Sequence, residues 1–215
     1  MTWDNASAMN NILGKRVDGC SILGAATGSE DMKRIQDYEI PVVFLDREMA
    51  GKRMASVVFD SIQDGKRAAE YLLSKGADRI AFVKGYHENY DAELRWEGFQ
   101  EGLCRAGVEL ESDYIWEGCF EKEAAYESVQ AFLDKKLPLP DAVFAANDLS
   151  AIGAMEALIK AGYRVPEDVM VLGVDDIEQD MWCKATLSTI KTGFKEQGAI
   201  AVRRLLKLIS EEENG

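Results

Sequence analysis

The sequence has few of the residues, and none of the short motifs, that mark common catalytic and metal sites. It contains one histidine, four prolines and four cysteines in 215 residues, and no C-x-x-C pair. Walker A, H-E-x-x-H, G-x-S-x-G and G-x-G-x-x-G patterns do not occur. The cysteines are widely separated, so they indicate neither a disulfide framework nor a zinc site, and we expect reduced, partly buried thiols. The sequence therefore predicts no metal ion, no cofactor and no catalytic residue.

Long apolar runs are missing as well. No segment approaches the ~20 consecutive apolar residues that a membrane-spanning helix needs, and no signal peptide opens the chain. No Ser/Gly-rich or Pro-rich linker divides the sequence. We therefore expect no membrane segment, and any two lobes must be joined by strand-like crossings.

Basic residues are outnumbered by acidic ones. The formal net charge is −13, and nucleic-acid binding depends on Lys and Arg neutralising phosphates. This charge argues against a polypeptide that holds a phosphate backbone by itself. The hydrophobic fraction of 47% and the charged fraction of 29% are typical of a soluble globular protein with a sizeable core.

Residues 140–176 contain the clearest structural unit. Two apolar runs, 142–146 and 169–174, are suited to buried strands, and an amphipathic segment with helical spacing lies between them. Asn147 follows the first run as a potential N-cap, and Asp175 follows the second. The pattern predicts strand–helix–strand, with polar side chains at the carboxyl ends of both strands.

The same alternation extends along the whole chain and predicts a parallel sheet with helices on both faces. Predicted strands cover residues 17–23, 40–45, 57–59, 80–83, 114–116, 142–146, 169–174 and 187–190. Predicted helices cover residues 2–15, 30–38, 62–75, 92–106, 124–133, 149–161 and 197–209. Three of the helices end at a glycine suited to the C′ position, namely Gly76, Gly107 and Gly162.

Polar residues follow successive predicted strands, at the edge where open parallel sheets bind ligands. They are Asp46, Asp60, Asn147 and Asp175, and Arg95 lies on the helix after the 80–83 strand. Carboxylates and amides can form hydrogen bonds with vicinal hydroxyl groups, and the guanidinium group of an arginine can bind two oxygens at once. Phe120 and Trp116 are candidates for an apolar or stacking wall. Together these residues favour a small-molecule site.

Each candidate also has a purely structural interpretation. Asn147 and Asp60 could serve as helix caps, and Arg95 could form an ion pair with Asp91. The Asp175–Asp176 pair could instead chelate a divalent cation or accept a phosphoryl group, for which no further partners are evident. An α/β enzyme that uses His87, Asp175 or a cysteine stays open, although a solvated loop position suits His87 better.

An ordered series of motifs resembles the effector-binding core of LacI/GalR-type transcription regulators. The motifs lie at residues 58–65, 73–76, 79–85, 95–99, 145–148, 153–155, 164–169, 173–176 and 187–190. The resemblance implies an α/β, periplasmic-binding-protein-like fold with two Rossmann-like lobes and parallel sheets. It places residues 1–59 plus 192–215 in an N-terminal lobe and residues 60–191 in a C-terminal lobe.

The resemblance also implies the ligand-binding residues. The arginine of the R-x-x-G-F motif corresponds to Arg95, and the first aspartate of the G-x-D-D motif corresponds to Asp175. The asparagine of the A-N-D motif corresponds to Asn147. An aromatic residue after the mid-lobe strand corresponds to Phe120, and an aspartate that ends the strand before the crossing corresponds to Asp46.

The implied function is the sensing of a sugar or similar effector, which is clamped between the lobes to regulate DNA binding. DNA would be bound through a helix-turn-helix that this chain lacks, and the first lobe is expected to be incomplete. A cytoplasmic homodimer without enzymatic activity is expected, because an open strand edge favours association. The alternative is the ligand-sensing module of another signalling protein or a solute-binding receptor.

Overall fold

The computed structural model describes residues 10–12, 14, 16–23, 29–45, 47–87, 89–178 and 186–213. They form two compact units, one within residues 1–59 and 193–215 and the other within residues 60–192. None of the helices in these described ranges combines the length and apolar character needed to cross a membrane.

Eight strands and six helices are defined in this part of the chain. The strands are β1 (Cys20–Ile22), β2 (Val42–Phe44), β3 (Met54–Ser56), β4 (Ile80–Lys84), β5 (Ile115–Glu117), β6 (Ala142–Ala145), β7 (Met170–Val174) and β8 (Ser188–Ile190). The helices are α1 (Ser29–Asp37), α2 (Ser61–Ser74), α3 (Tyr90–Arg105), α4 (Lys122–Asp134), α5 (Asp148–Lys160) and α6 (Phe194–Glu213). A short 3-10 helix, Ser112–Tyr114, precedes β5.

The strands form two parallel sheets, one in each unit. The first unit contains three strands in the order β1-β2-β3, and the second contains five in the order β5-β4-β6-β7-β8. Every strand pair is parallel. This arrangement confirms the predicted α/β class with parallel sheets, and it follows from helical connections between consecutive strands.

The five-stranded sheet is covered by helices on both faces. Along β4, Phe82 packs in a cluster with Phe99 of α3, whereas Val83 packs on the other face with residues of α4 and α5. Neighbouring β6 alternates in the same way, with Phe144 on the α3 side and Val143 on the other. Successive strand residues point to opposite faces, so an apolar run without polar interruption is what a doubly covered strand requires.

The strand predicted at 57–59 is wrong, because the strand lies just before it, at Met54–Ser56. Val57 still donates its N–H to the Phe44 carbonyl at 2.8 Å. Its own carbonyl accepts a hydrogen bond from the Gln197 side chain at 3.0 Å, and the same amide also donates to the Leu45 carbonyl. A side chain from α6 therefore completes the end of the ladder in place of a further strand residue.

The glycine helix ends are confirmed. Gly76, Gly107 and Gly162 have φ values of 84°, 73° and 95°, in the left-handed region that terminates helices. The predicted terminal helix is longer than expected and covers Phe194–Glu213. The helix predicted at 2–15 lies largely outside the described residues, which are helical at 10–12.

Candidate functional site

Four of the predicted site residues lie at the carboxyl edge of the five-stranded sheet or on the helix beside it. Phe120 follows β5, Asn147 follows β6 and Asp175 follows β7, while Arg95 lies in the second turn of α3. Carboxyl ends of parallel strands meet at one edge, so the order β5-β4-β6-β7 brings these residues together. The fifth predicted residue, Asp46, lies outside the described residues.

Arg95 is a buried guanidinium with hydrogen-bonding capacity to spare. Its side chain is 4% exposed, and its Nη1 donates to the backbone carbonyl of Ala146, the residue after β6. Its Nε has no hydrogen-bond partner in the described part of the chain. Buried donors are nearly always paired in native proteins, so the free N–H points to a ligand acceptor.

Asn147 ties two elements of the site together. Its side-chain oxygen accepts from the Ser150 N–H at 2.9 Å and caps α5, as the sequence predicts. Its Nδ2 donates to the Phe120 carbonyl at 3.1 Å. The cap is therefore real, and the same amide fixes the loop that carries Phe120. Its predicted contact with an effector stays a prediction.

Phe120 forms a fixed apolar wall at this edge. Its backbone has a φ of 56°, a conformation that a non-glycine residue rarely adopts. A Cβ built on Gly85, which follows β4, would lie 2.4 Å from the Phe120 ring, so the ring rests directly on that glycine. Tyr86 packs edge-on against the same ring, with 5.8 Å between ring centroids.

Asp175 is held in an unfavourable backbone conformation. Its φ is 122°, in a region that L-residues rarely adopt. Its N–H donates to the Ile190 carbonyl at 2.9 Å, and its carbonyl accepts from the Thr192 hydroxyl at 3.4 Å. Backbone strain of this kind persists where the surroundings over-determine it, and it is concentrated at functional sites.

The carboxyl group of Asp175 also has a strongly perturbed pKa. The pKa of this carboxyl is raised from 3.8 to about 7, chiefly by burial; the charge of Arg95 lowers it, and the neighbouring carboxylates Asp148, Asp91 and Asp64 raise it. Burial likewise raises the pKa of Asp64 and of Asp148. Titratable groups with such shifts in a pre-formed polar site are candidates for ligand binding.

Asp175→Asn should raise the free energy of unfolding more at about pH 8 than at about pH 5.5, and leave it nearly unchanged only below the ordinary carboxyl pKa of 3.8. The folded-state pKa of about 7 exceeds the ordinary 3.8, so folding favours the protonated acid, and the wild-type loses stability progressively as pH rises from 3.8 through about 7. We expect the wild-type to lose about 2 kcal/mol relative to the variant between about pH 5.5 and about pH 8. Urea unfolding at both pH values measures this difference, and parallel pH profiles would contradict it.

Two other residues of the candidate set have structural roles. Asp60 caps α2 and accepts from the Gln63 N–H at 3.2 Å. Trp116 lies in the core, packed on Phe132 with ring centroids 4.8 Å apart, and its Nε1 donates to the Asp113 carbonyl. The expectation that Trp116 walls the site is therefore wrong, because the alternation of β5 turns its side chain toward the core.

The sequence reasoning missed Asp64 and Asp148 as part of the site's electrostatics. Asp148 is fully buried, and its carboxylate accepts from the Ile177 N–H at 3.1 Å. An added Cβ at Gly173 would lie 2.2 Å from this carboxylate. The glycine of the G-x-D-D motif therefore makes room for the aspartate of the A-N-D motif, a pairing that the two motifs could have suggested.

The sequence indicates Asp91 only as a possible ion-pair partner of Arg95. It lies one helical turn before Arg95 on α3, so the two side chains share a helix face. The Ser61 hydroxyl donates to its Oδ1 at 2.7 Å. In the described ranges no group of three or more His, Cys, Asp or Glu residues is arranged to hold a metal ion.

Comparison with known proteins finds a family match and similarity to bacterial repressors. The family described as periplasmic binding protein-like domain matches residues 69–215. The HTH-type transcriptional repressor PurR of Pasteurella multocida (strain Pm70) is 31% identical over 98% of this chain and 64% of its own length. The ribose operon repressor of Escherichia coli (strain K12) is 32% identical over 94% of this chain and 62% of its own.

A solved structure agrees with these matches. The transcriptional regulator CelR–cellobiose complex superposes with a TM-score of 0.86 and 27% identity, covering 96% of this chain and 64% of that one. The chain thus spans somewhat less than two thirds of the length of the curated relatives it matches.

Proposed function

Because the chain belongs to the family of periplasmic binding protein-like domains, in the form carried by LacI-family transcription regulators, we propose that it is the effector-binding core of such a regulator. Its effector is a sugar or a sugar-like small molecule. The two compact units correspond to the two lobes of the fold, and the core acts in the cytoplasm as a homodimer without enzymatic activity.

The observation that carries this proposal is the pre-formed polar edge of the five-stranded sheet. Arg95 offers a buried N–H, Asp175 offers a carboxylate held by its strained backbone, and Phe120 offers an apolar face. A polyol presents both donors and acceptors on its hydroxyls and an apolar face on its ring carbons. Groups that are fixed before binding lose little entropy when the ligand arrives.

We propose that effector binding regulates the binding of DNA. Effector binding shifts the population between two conformations of the core, and a DNA-binding segment of the regulator responds to that shift. The relatives support this assignment, since the names of PurR and of the ribose operon repressor both describe repressors. The same names favour a regulator over the alternatives of a solute receptor, another signalling module or an enzyme.

Calorimetric titration with a panel of sugars and nucleosides tests the proposal. We expect at least one member to bind the parent chain, and Arg95→Lys and Asp175→Asn to weaken its affinity at least about tenfold, since each loses a hydrogen bond to a charged group. Lys135→Ala is the matched control, because Lys135 pairs with Asp113 on the exposed surface. Binding that survives both site variants would overturn the site assignment.

A further inference from the structure

Tyr86 is an exposed aromatic residue in the loop after β4, at the carboxyl edge of the five-stranded sheet. The residue is 47% exposed, and its ring packs edge-on against Phe120 with 5.8 Å between ring centroids and 71° between ring planes. Single exposed apolar residues are common on protein surfaces, so exposure alone indicates no function. What distinguishes Tyr86 is that its ring is fixed beside the predicted effector residue Phe120.

Hydrogen bonds hold the Tyr86 side chain and backbone in one orientation. The hydroxyl donates to Glu121 Oε1 at 2.5 Å, and this acceptor raises the pKa of the Tyr86 phenol, which therefore stays protonated. The Tyr86 carbonyl accepts from the Asn89 N–H at 3.3 Å, and Asn89 caps α3. A ring that is fixed in advance loses little entropy when a ligand packs on it. Because Glu121 uses the hydroxyl proton, Tyr86 offers a ligand its apolar ring.

The turn that carries Phe120 is fixed as well. Cys119 and Phe120 have φ values of 50° and 56°, and the Glu121 N–H donates to the Gly118 carbonyl at 2.8 Å. Two successive positive φ values with this hydrogen bond are features of a type I′ turn, which usually has asparagine and glycine at its centre. Backbone strain of this kind is concentrated at ligand sites. Here it places the Phe120 ring beside Tyr86.

Tyr86 and Phe120 together form an aromatic corner. The apolar face of one flat sugar ring can lie on only one of two rings whose planes are inclined by 71°. A ligand that packs on both rings therefore needs a second apolar surface in another plane. A planar aromatic group joined to the sugar by a glycosidic bond provides this surface, because rotation about the bond sets the angle between the two ring planes.

We propose that Tyr86 is a specificity-determining residue, and that the effector is a sugar with a planar aromatic substituent, as in a nucleoside or an aryl glycoside, that packs on Tyr86. The inference rests on the proposed function, since it names the chemical class of the ligand of the same site. Phe120 then packs on the sugar carbons. The contact with Tyr86 adds stacking affinity that a sugar without the aromatic group lacks.

Matched titrations of the whole chain test this inference. Adenosine, inosine and uridine are compared by calorimetry with ribose, and the phenyl β-D-glycosides of glucose and galactose are compared with the corresponding methyl glycosides. We expect at least one aromatic compound to bind at least about fivefold more tightly than its counterpart without the aromatic group, as one stacking contact provides. The series that shows this preference distinguishes a nucleobase from an aryl group.

Variants of Tyr86 separate stacking from anchoring of the loop. Tyr86→Ala should bring the affinity ratio of the aromatic compound to its counterpart close to one, whereas Tyr86→Phe keeps the ring and should keep most of the ratio. Tyr71→Ala is the matched control, because Tyr71 is 43% exposed and lies near the end of α2, which leads into the amino end of β4. A tyrosine that only anchored the loop would, on replacement by alanine, lower both affinities alike, and an unchanged ratio would overturn the inference.

Failure of the inference is distinct from failure of the proposed function. If ribose and the methyl glycosides bind as tightly as their aromatic counterparts, the inference is overturned and the proposed sugar-binding function stands. If none of these compounds binds, the proposed function itself fails, and the inference fails with it.

Discussion

Arg95→Met should lower the free energy of unfolding by about 3 kcal/mol near about pH 8, and by clearly less near about pH 5.5. The side chain is buried, it donates to the Ala146 carbonyl, and its charge lowers the pKa of Asp175 and Asp64. Without the guanidinium these carboxylates are buried and uncompensated at high pH. Near about pH 5.5 the Asp175 carboxyl, whose pKa is raised to about 7, is largely protonated and tolerates the loss of the guanidinium.

Urea unfolding of the parent and variant at the two pH values measures this prediction. Arg95→Lys is the matched control, because it keeps the charge and loses the fork geometry, so its cost should depend less on pH. An Arg95→Met cost that is equal at both pH values would show that packing and the Ala146 hydrogen bond, and not charge, account for the stabilisation.

The double variant Arg95→Met, Asp175→Asn tests whether Arg95 and Asp175 compensate each other's charge. Each residue compensates the other, so the two stability changes should not add. We expect the double variant to be more stable than Arg95→Met alone near about pH 8, because the amide removes one of the buried charges that the loss of Arg95 exposes. A strictly additive cycle would mean that Arg95 and Asp175 do not interact.

The sequence predicts the framework of this site better than its electrostatics. Asn147 and Asp175 follow short apolar runs that suit buried strands, and the edge of a parallel sheet brings strand ends together. These positions depend on local pattern alone. The burial of Asp148 instead depends on Ile177 and Gly173, which are far from it in the chain and in contact with it in the fold, so no local pattern indicates it.

The sequence also does not predict which way a side chain points in a short strand. Trp116 lies in a three-residue strand, and an apolar–polar alternation that short does not distinguish the core face from the ligand edge. Phe120 takes a left-handed φ that the sequence would assign to glycine or asparagine. Its position follows from the Asn147 hydrogen bond and from the space above Gly85, which are tertiary contacts.

The contact between α2 and α3 explains why the sequence has a glycine in the middle of α3. Gly98 interrupts the middle of α3, where glycine is intrinsically unfavourable. In the structure a Cβ at Gly98 would lie 2.0 Å from the Ile62 carbonyl oxygen of α2, and a Cβ at Gly65 would lie 2.1 Å from the Arg95 carbonyl oxygen. The two backbones are in direct contact, so each helix needs a glycine at the crossing.

Gly98→Ala should therefore lower the free energy of unfolding by about 3 kcal/mol, despite the better helix propensity of alanine. The added methyl group meets backbone atoms, which cannot rotate away as a side chain can, so α3 must move from α2. Arg95 lies on the displaced helix, and its donor should move away from the Ala146 carbonyl. We expect effector affinity to fall with stability, as measured by urea unfolding and calorimetric titration.

Gly198→Ala is the matched control for this substitution. Gly198 also lies inside a helix, α6, but an added Cβ there meets nothing within 4 Å. Without a steric cost, the propensity difference should stabilise the protein by about 0.5–1 kcal/mol. The same chemical change thus has opposite signs at two helical glycines. If Gly98→Ala were also neutral or stabilising, the close backbone contact that positions Arg95 would be absent in solution.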